Sequence, residues 1–520
     1  MKQIKQFIDR NPYLFLIILA FVLRLVATFF SKGYGMHDDH FCVIEPSQSW
    51  VDGTDYNYWL PGNQTDPVPQ GHSFFYVGVH YIILSLFKFI GISDPQVKMF
   101  LVRFLHAILS VCTVAYAYKI ASKITTHRIA LLSGIFMATF WFMTWLSVRN
   151  LVEVVATPFL MIGLWQIYKS EDSKQKLLHF LIAGLIAGIA FSIRFQTAVF
   201  IGGMGLVMLI EKRWKEAFVF GFGVIISIAV LQGVPDYFVW KRPFAELTEY
   251  IKYNIEHRYE YGYNNYFMYL ELILGLLIPP VSLFFFFGFF RNWKKHLMIF
   301  LPTFLFILFH TYFPNKQERF VFTVLPMVVL LGVIGWEEFA EKKTLYLKRW
   351  VRGSFIFFWI VNIILLAIST TSYVKRSRVE AMYYLYPQRD SITSVLVDDS
   401  NSDCAVMLPI FYIGKWVPEY RIEKNINMTE EQKTLGKEIG PYFRKIYSYE
   451  YFLNKPASER PQFIIFNDTV NFATRFADAK KVFPDIRFET KIEAGNIDRL
   501  VQYANPTNRC QMFYIYKTGL

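Results

Sequence analysis

The chain has 520 residues, of which 54% are hydrophobic, 19% aromatic and only 18% charged, with 53 phenylalanines and a formal net charge of +13. A soluble domain of average composition is about 25% charged, so long apolar runs at this charge density exclude a disordered protein, a disulfide-rich secreted scaffold and a purely soluble enzyme. Four cysteines exclude a disulfide framework and any multi-cysteine metal cluster.

A membrane-spanning helix takes about 20 mostly apolar residues. In chain order such runs fall at 13–30, 98–118, 129–147, 151–168, 177–194, 195–210, 217–234, 266–290, 297–313, 320–337 and 353–371. A further stretch, 74–92, holds His80 and Lys88, and charge decides its place. If it lies along the outer face and the N-terminus is inside, every short basic loop becomes cytoplasmic. These run from Lys2, Lys5 and Arg10 to Lys342, Lys343, Lys348, Arg349 and Arg352, as the positive-inside rule requires. The charge excess is therefore topological, the partner is a lipid bilayer, and nucleic acid is not expected. The first run is too long for a cleavable signal peptide, and no small-residue cleavage site follows it.

Eleven crossings put 373–520 outside. That tail is polar, with short strand-like runs at 404–412, 463–466 and 512–516 and a helical pattern at 470–483, which together read as a small α/β domain. Cys404 and Cys510 fall in two of these strands in an oxidising compartment, which leaves a disulfide between them open. The expected architecture is an α-helical polytopic membrane protein of about 11 transmembrane helices over 1–372, with a C-terminal soluble α/β domain over 373–520.

Two long outer loops, 31–97 and 235–265, are where chemistry meets water. The first begins Gly35-Met36-His37-Asp38-Asp39-His40-Phe41 and continues to Glu45. Adjacent carboxylates repel, so one can take a raised pKa and act as a base, unless nearby cations hold both ionised; a solvated acidic turn has the same sequence. His37 and His40 are metal-ligand types, but residues so close along a chain rarely converge on one ion. Arg24, Arg103, Arg149, Arg194, Lys316 and Arg319 all fall at outer ends of spans or in an outer turn. Each alone reads as a side chain snorkelling to the interface. Six on one side, around a carboxylate pair, indicate a cavity for a phosphate whose lipid tail stays in the bilayer. Asn150 and Glu153 share a helix face beside Arg149, either as a polar network under that cavity or with Glu153 as a structural partner of an arginine. Tyr253, Tyr259, Tyr261, Tyr263, Tyr266 and Tyr269 crowd the second loop as an aromatic belt, a surface on which sugar rings also stack.

In order, these residues resemble the GT-C mannosyltransferases that use a polyprenyl-phosphate sugar donor on the outer side of the membrane, in the branch of the glycosylphosphatidylinositol-anchor and N-glycan α-mannosyltransferases. That family carries His-Pro-Asp-Glu and then aromatic-x3-Glu in its first outer loop. Aligned on Glu45, Asp38 falls on its aspartate and Asp39 on its glutamate, and Met36 stands in place of its histidine. Asn150-x-x-Glu153, Ile193-Arg194-x-x-Thr197-Ala198, Asp236-Tyr237-Phe238-x-Trp240-x-x-Pro243-Phe244 and Asn315-Lys316-Gln317-Glu318-Arg319-Phe320 follow in the family's order.

The resemblance implies inverting transfer of a hexose, mannose in this family, from the polyprenyl-phosphate donor to a hydroxyl of an acceptor glycan or glycolipid. It implies Asp38 as general base, with Asp39 orienting it or holding the acceptor. Arg103, Arg194, Lys316 and Arg319 would meet the leaving lipid phosphate, and Glu45, Asn150, Glu153, Asn254 and Tyr261 would form an acceptor or structural network. Preset cations at a phosphate leaving group need no metal or other cofactor. The expected location is a bacterial inner membrane, with the N-terminus cytoplasmic and the catalytic loops outside. Three rival readings are a lipid-linked sugar flippase, a polymerase using polyprenyl-diphosphate glycans, and a non-catalytic receptor whose outer domain binds ligand and which would not need the carboxylate pair. Transporters usually hold their polar residues near the midplane and show paired halves, whereas no repeat appears here; a polymerase differs in the donor headgroup.

Overall fold

Backbone groups inside a bilayer find no water, so apolar runs satisfy them internally as helices. The computed structural model describes residues 2–64, 66–260, 265–401, 406–424, 427–439, 444–504 and 512–519. Among these, five helices are long and apolar enough to cross a membrane: Pro12–Phe30, Pro95–Ile124, Lys176–Ile193, Trp214–Trp240 and Arg349–Thr370. Local chemistry sets their starts. Pro12 occupies a first turn, where its missing N–H costs nothing, and the Asp94 carboxylate accepts the Val97 N–H at 3.0 Å to cap the longest helix.

Two expected spans are broken. Over 129–147 the chain forms His127–Thr139 and then Trp141–Leu146. Asn362 serves both sides of the gap, donating to Thr139 O at 2.9 Å and accepting from Trp141 N at 3.1 Å. Over 266–290 the chain forms Met268–Leu276 and Val281–Arg291, bent by 116°. Pro279 and Pro280 supply no N–H there, and Ile278 takes a φ of 60°. Counted as one, this pair makes a sixth crossing element. Other expected spans are shorter apolar helices, Phe195–Ile210 and Leu297–Tyr312, or, like Leu325–Lys342, end in charged residues.

Close backbone approach holds the helices together. A Cβ on Gly288 would lie 2.1 Å from Gly332 O, and one on Gly184 2.1 Å from Phe220 O, the small-residue contact that packs helices in a bilayer. The bundle has two chemically distinct ends. The loops expected to be cytoplasmic meet at one, where Lys176 pairs with Glu216 (2.6 Å), Lys295 with Glu338 (2.7 Å) and Lys123 with Asp172. The loops expected to be outside meet at the other, where the Tyr269 hydroxyl donates to Gln317 O (3.2 Å) and His72 N to Glu246 (3.2 Å). Helix Phe74–Phe89 belongs to the second end along its whole length: Val77 O accepts from Ser47 (2.9 Å) and Lys88 donates to Val51 O (2.8 Å).

The C-terminal part is a five-stranded sheet in the order β2-β1-β5-β7-β6. Its strands are β1 (Val395–Asp399), β2 (Glu419–Glu423), β5 (Phe463–Asn467), β6 (Arg487–Glu493) and β7 (Met512–Lys517); β3 (Lys437–Ile439) and β4 (Arg444–Ile446) form a separate ribbon. β1 is parallel to β2 and β5, and β7 is antiparallel to β5 and β6. One face packs on helix Phe472–Val482 through Ala479 and Val482. The other face, with Val395, Val397, Ile465 and Phe513, shares a single core with Phe41, Ile44, Phe87 and Val102 from the membrane part. The domain is thus docked by buried apolar surface.

Strands form at the expected runs 463–466 and 512–516, and helix Phe472–Val482 falls within the expected 470–483. The strand expected at 404–412 does not form among its described residues. Residues 406–409 run irregularly and Ile410–Ile413 is a 3-10 turn, because Phe411 and Tyr412 are drawn into the contact with the first outer loop. Cys404 and Cys510 lie outside the described residues.

Candidate active site

The first outer loop turns helical at once. His37–Asp39, His40–Ile44 and Glu45–Val51 form one continuous helical segment, with both aspartates in its first turn. Asn150 Nδ2 donates to Asp39 O at 2.7 Å, and Asn150 Oδ1 accepts from the Tyr76 hydroxyl, which also contacts His106 Nε2 at 2.8 Å. A chain of side chains, Asn150 from the link ahead of helix Val152–Ser170 and Tyr76 and His106 from two helices, therefore fixes the acidic turn.

The two carboxyl groups are unequal. Asp38 is partly exposed, and its Oδ2 lies 2.5 Å from Arg319 NH2. Although burial pushes the other way, the Arg319 guanidinium holds the Asp38 carboxyl at about 2. Asp39 is 3% exposed, with Oδ2 unpartnered. Burial first, and then the neighbouring Glu153 charge, raise its pKa well above the carboxylate range. One member of the pair is an ionised acceptor and the other a buried acid.

Glu153, in the first turn of helix Val152–Ser170, is completely buried. Arg194 NH2 lies 3.0 Å and Arg319 Nε 3.5 Å from its Oε1. Arg194 leaves the helix Lys176–Ile193 in an extended conformation that turns its side chain inward, and Arg319 comes from the 3-10 turn Glu318–Thr323. Asp38, Arg319, Glu153 and Arg194 thus alternate in charge along one line. Both guanidiniums pack on the Phe320 ring, at 5.2 and 6.0 Å. A cleft lined by Cys42, His72, Tyr76, Val152 and Tyr250 opens beside Arg194.

The remaining candidates lie elsewhere. Lys316 is buried nearby, 4.8 Å from the centre of the Tyr266 ring. Arg103 donates to Thr28 O at 3.1 Å, and Arg149 to Ser31, Lys32 O and Gly33 O at 2.7–3.0 Å, so both tie down the start of the first loop. Arg24 neither snorkels nor lines a cavity: it binds Ser110 at 2.9 Å and Ala20 O and Ala138 O at 3.3 Å, at the helix break. Glu45 accepts Phe411 N at 3.2 Å, a contact with the C-terminal domain. Asn254 donates to Tyr250 O within its own helix at 2.8 Å, and Tyr261 lies outside the described residues. His40 is stacked between Tyr34 (4.9 Å) and Tyr412 (5.6 Å) while His37 stacks on Phe41. Among the described residues, no three His, Cys, Asp or Glu side chains group as metal ligands.

Tyr76 and His106 were not among the expected site residues, because 74–92 reads as an apolar stretch along the outer face and His106 as one polar residue in a span. Their signal was hydroxyl and imidazole groups in otherwise apolar helices.

A helical bundle that carries this charge-alternating line at one end, with a small α/β domain docked there, is the GT-C fold. ArnT from Cupriavidus metallidurans superposes in its apo state with a TM-score of 0.61, at 11% identity over 98% of both chains. ArnT bound to undecaprenyl phosphate gives 0.60 at 10% identity, also over 98% of both. The oligosaccharyltransferase of Archaeoglobus fulgidus in its apo form gives 0.53 at 10%, over 88% of this chain and 70% of that one.

The model of the Alg9-like mannosyltransferase family matches residues 13–400, and the chain belongs to that family. It is 24% identical over 261 residues to the alpha-1,2-mannosyltransferase ALG9 of Arabidopsis thaliana, covering 45% of this chain and 42% of that protein, so the match spans less than half the length of that relative. An uncharacterized protein of Aquifex aeolicus is 25% identical over 373 residues, 69% of this chain and 70% of that one.

Proposed function

We propose that this protein is an integral-membrane glycosyltransferase that moves a hexose, mannose in the family reading, from a polyprenyl-phosphate donor to a hydroxyl of a glycan or glycolipid acceptor. The observation that carries the proposal is the line Asp38–Arg319–Glu153–Arg194, which sets an ionised carboxylate against two buried guanidiniums. Preset cations next to a carboxylate suit a displacement in which a lipid phosphate leaves as the acceptor hydroxyl attacks. That ArnT was solved with undecaprenyl phosphate supports a polyprenyl-phosphate donor on this fold.

In this scheme Arg319 and Arg194 take up the negative charge of the departing phosphate oxygen. Engaging Arg319 loosens its hold on Asp38, so the carboxylate that was too weak a base becomes able to take the acceptor proton. Asp39, kept protonated by burial, offers an O–H to an acceptor oxygen. In the family reading the sugar is transferred in one step with inversion, with Asp38 as the base.

The site sits at the extracytoplasmic end of an eleven-span module, 1–372, with the N-terminus in the cytoplasm and 373–520 outside. Segregation of the lysine-rich loops to the opposite end of the bundle supports this orientation. The Aquifex aeolicus relative, covered over most of its length, supports a bacterial inner membrane as the site.

The test is to incubate the purified protein with a panel of polyprenyl-phosphate monosaccharides and an acceptor glycolipid. Release of lipid phosphate together with a lengthened acceptor is expected, fastest with mannose. Labelled sugar that crosses a vesicle membrane without joining an acceptor would establish a flippase instead.

A further inference from the structure

Beyond the line of charges, a second cluster of donors stands on the other side of the acidic turn. Tyr34 is 5% exposed, and its hydroxyl has no hydrogen-bond partner among the described residues. Lys375 Nζ lies 4.3 Å from the centre of the Tyr34 ring and 3.3 Å from Gly35 O. Arg378, three residues later at the start of helix Arg376–Leu385, stands beside the Tyr34 hydroxyl. The backbone locks this arrangement: Val374 N donates to Lys32 O at 3.1 Å, and a Cβ on Gly33 (φ +82°) would lie 1.8 Å from Val374 O.

The titratable groups facing Lys375 are Arg378, Asp39, Asp498, Asp38, His37 and His40. Asp498 is engaged by the backbone N–H groups of Lys375 (3.0 Å) and Arg376 (3.3 Å). No carboxylate forms an ion pair with Lys375 or Arg378 among the described residues. Burial and the neighbouring Arg378 charge lower the Lys375 ammonium to about 7. Two cations without a carboxylate partner, grouped around a buried hydroxyl, are the donor set of a phosphate site.

We propose that Tyr34, Lys375 and Arg378 form a second anion subsite, separate from Arg194 and Arg319, that holds a phosphate or diphosphate group of a lipid-linked substrate. The C-terminal domain then contributes Lys375 and Arg378 to substrate binding, beside Tyr34 in the loop just ahead of Asp38. The identity of the substrate rests on the glycosyl-transfer reading; the anion site itself does not.

Pyrophosphate titrated calorimetrically into the purified full-length protein at pH 8, in two buffers of different ionisation enthalpy, tests the site directly. Binding with net proton uptake is expected, because the anion recharges Lys375. Tyr34→Phe, Lys375→Met and Arg378→Gln should each weaken it by about tenfold, and Tyr34→Phe removes only a hydroxyl, so it keeps the fold. Arg319→Gln should retain this binding event. Absence of binding to the wild type at about ten millimolar, or unchanged affinity in the Lys375→Met/Arg378→Gln double variant, overturns the site.

Steady-state transfer then separates the sources. A raised KM for the acceptor in Tyr34→Phe assigns the phosphate to the acceptor, and a raised KM for the donor assigns it to the donor. Lost pyrophosphate binding in the variants of a protein whose wild type transfers no sugar would keep the subsite and refute the glycosyl-transfer reading.

Discussion

Asp38 Oδ2 and Arg319 NH2, 281 residues apart in sequence, meet at 2.5 Å at the end of the bundle opposite the Lys176–Glu216 and Lys295–Glu338 pairs. Arg319 is almost fully buried and also faces Glu153, and after the cost of burial these carboxylates raise its pKa above the usual guanidinium value. Asp38, by contrast, is partly exposed. The pair therefore opens more readily on the Asp38 side. A phosphate arriving at Arg319 competes with Asp38, so substrate binding and activation of the base become one event.

Replacing Asp38 should split chemistry from binding. Asp38→Asn is expected to lower turnover by about 10²–10⁴-fold. It should also tighten the donor up to about fivefold, since roughly 1 kcal/mol of competition is removed. Single-turnover kinetics and donor titration check both; unchanged turnover removes Asp38 from the role of base.

Arg319→Lys keeps the charge but loses the fork that spans Asp38 and Glu153. Transfer should fall by about 10²–10³-fold, with the loss in kcat exceeding the change in donor KM. Equal activity in Arg319→Lys would show that a point charge suffices and that the bidentate geometry is incidental.

Glu153 neutralises two buried arginines. Glu153→Gln leaves them facing each other and should cost about 3 kcal/mol of stability, read as a lowered Tm in detergent. Glu153→Asp, which keeps the charge, should recover most of it.

Glu45 gives a pH signature to the docking of the C-terminal domain. Burial raises its carboxyl from the ordinary 4.5 to about 8. The folded state thus holds this proton more tightly than the unfolded state. The associated stability is complete below about pH 4.5, declines as pH rises, and is gone above about 8. Tm should fall between pH 5 and 9, and Glu45→Gln should flatten that slope. An unchanged slope in the variant would place the titrating group elsewhere.

Arg24 is predicted to be structural. Arg24→Met removes the guanidinium bonds to Ser110 and to Ala138 O, which keeps the Thr144 hydroxyl as a donor, at a cost of about 1 kcal/mol. Stability should drop while the KM for the donor stays at the wild-type value. A raised donor KM would return Arg24 to the phosphate cavity.

Much of the bundle was legible in the chain, because burial in lipid demands continuous apolar runs and basic loops on one side, and both are local properties of sequence. The acidic pair, Asn150, Glu153, Arg194 and Arg319 also stood out, since charge inside apolar sequence is conspicuous. Which of them touch is not local. The Asp38–Arg319 contact, the break that Arg24 and Asn362 cap, and the diversion of Phe411 and Tyr412 from a strand into the docking contact all depend on packing between distant segments. So does the meeting of Tyr34 with Lys375 and Arg378. Periodicity records whether a side chain faces lipid or protein, but a hydrogen bond or ion pair is decided by atoms within about 4 Å, and only the assembled helices bring those atoms together.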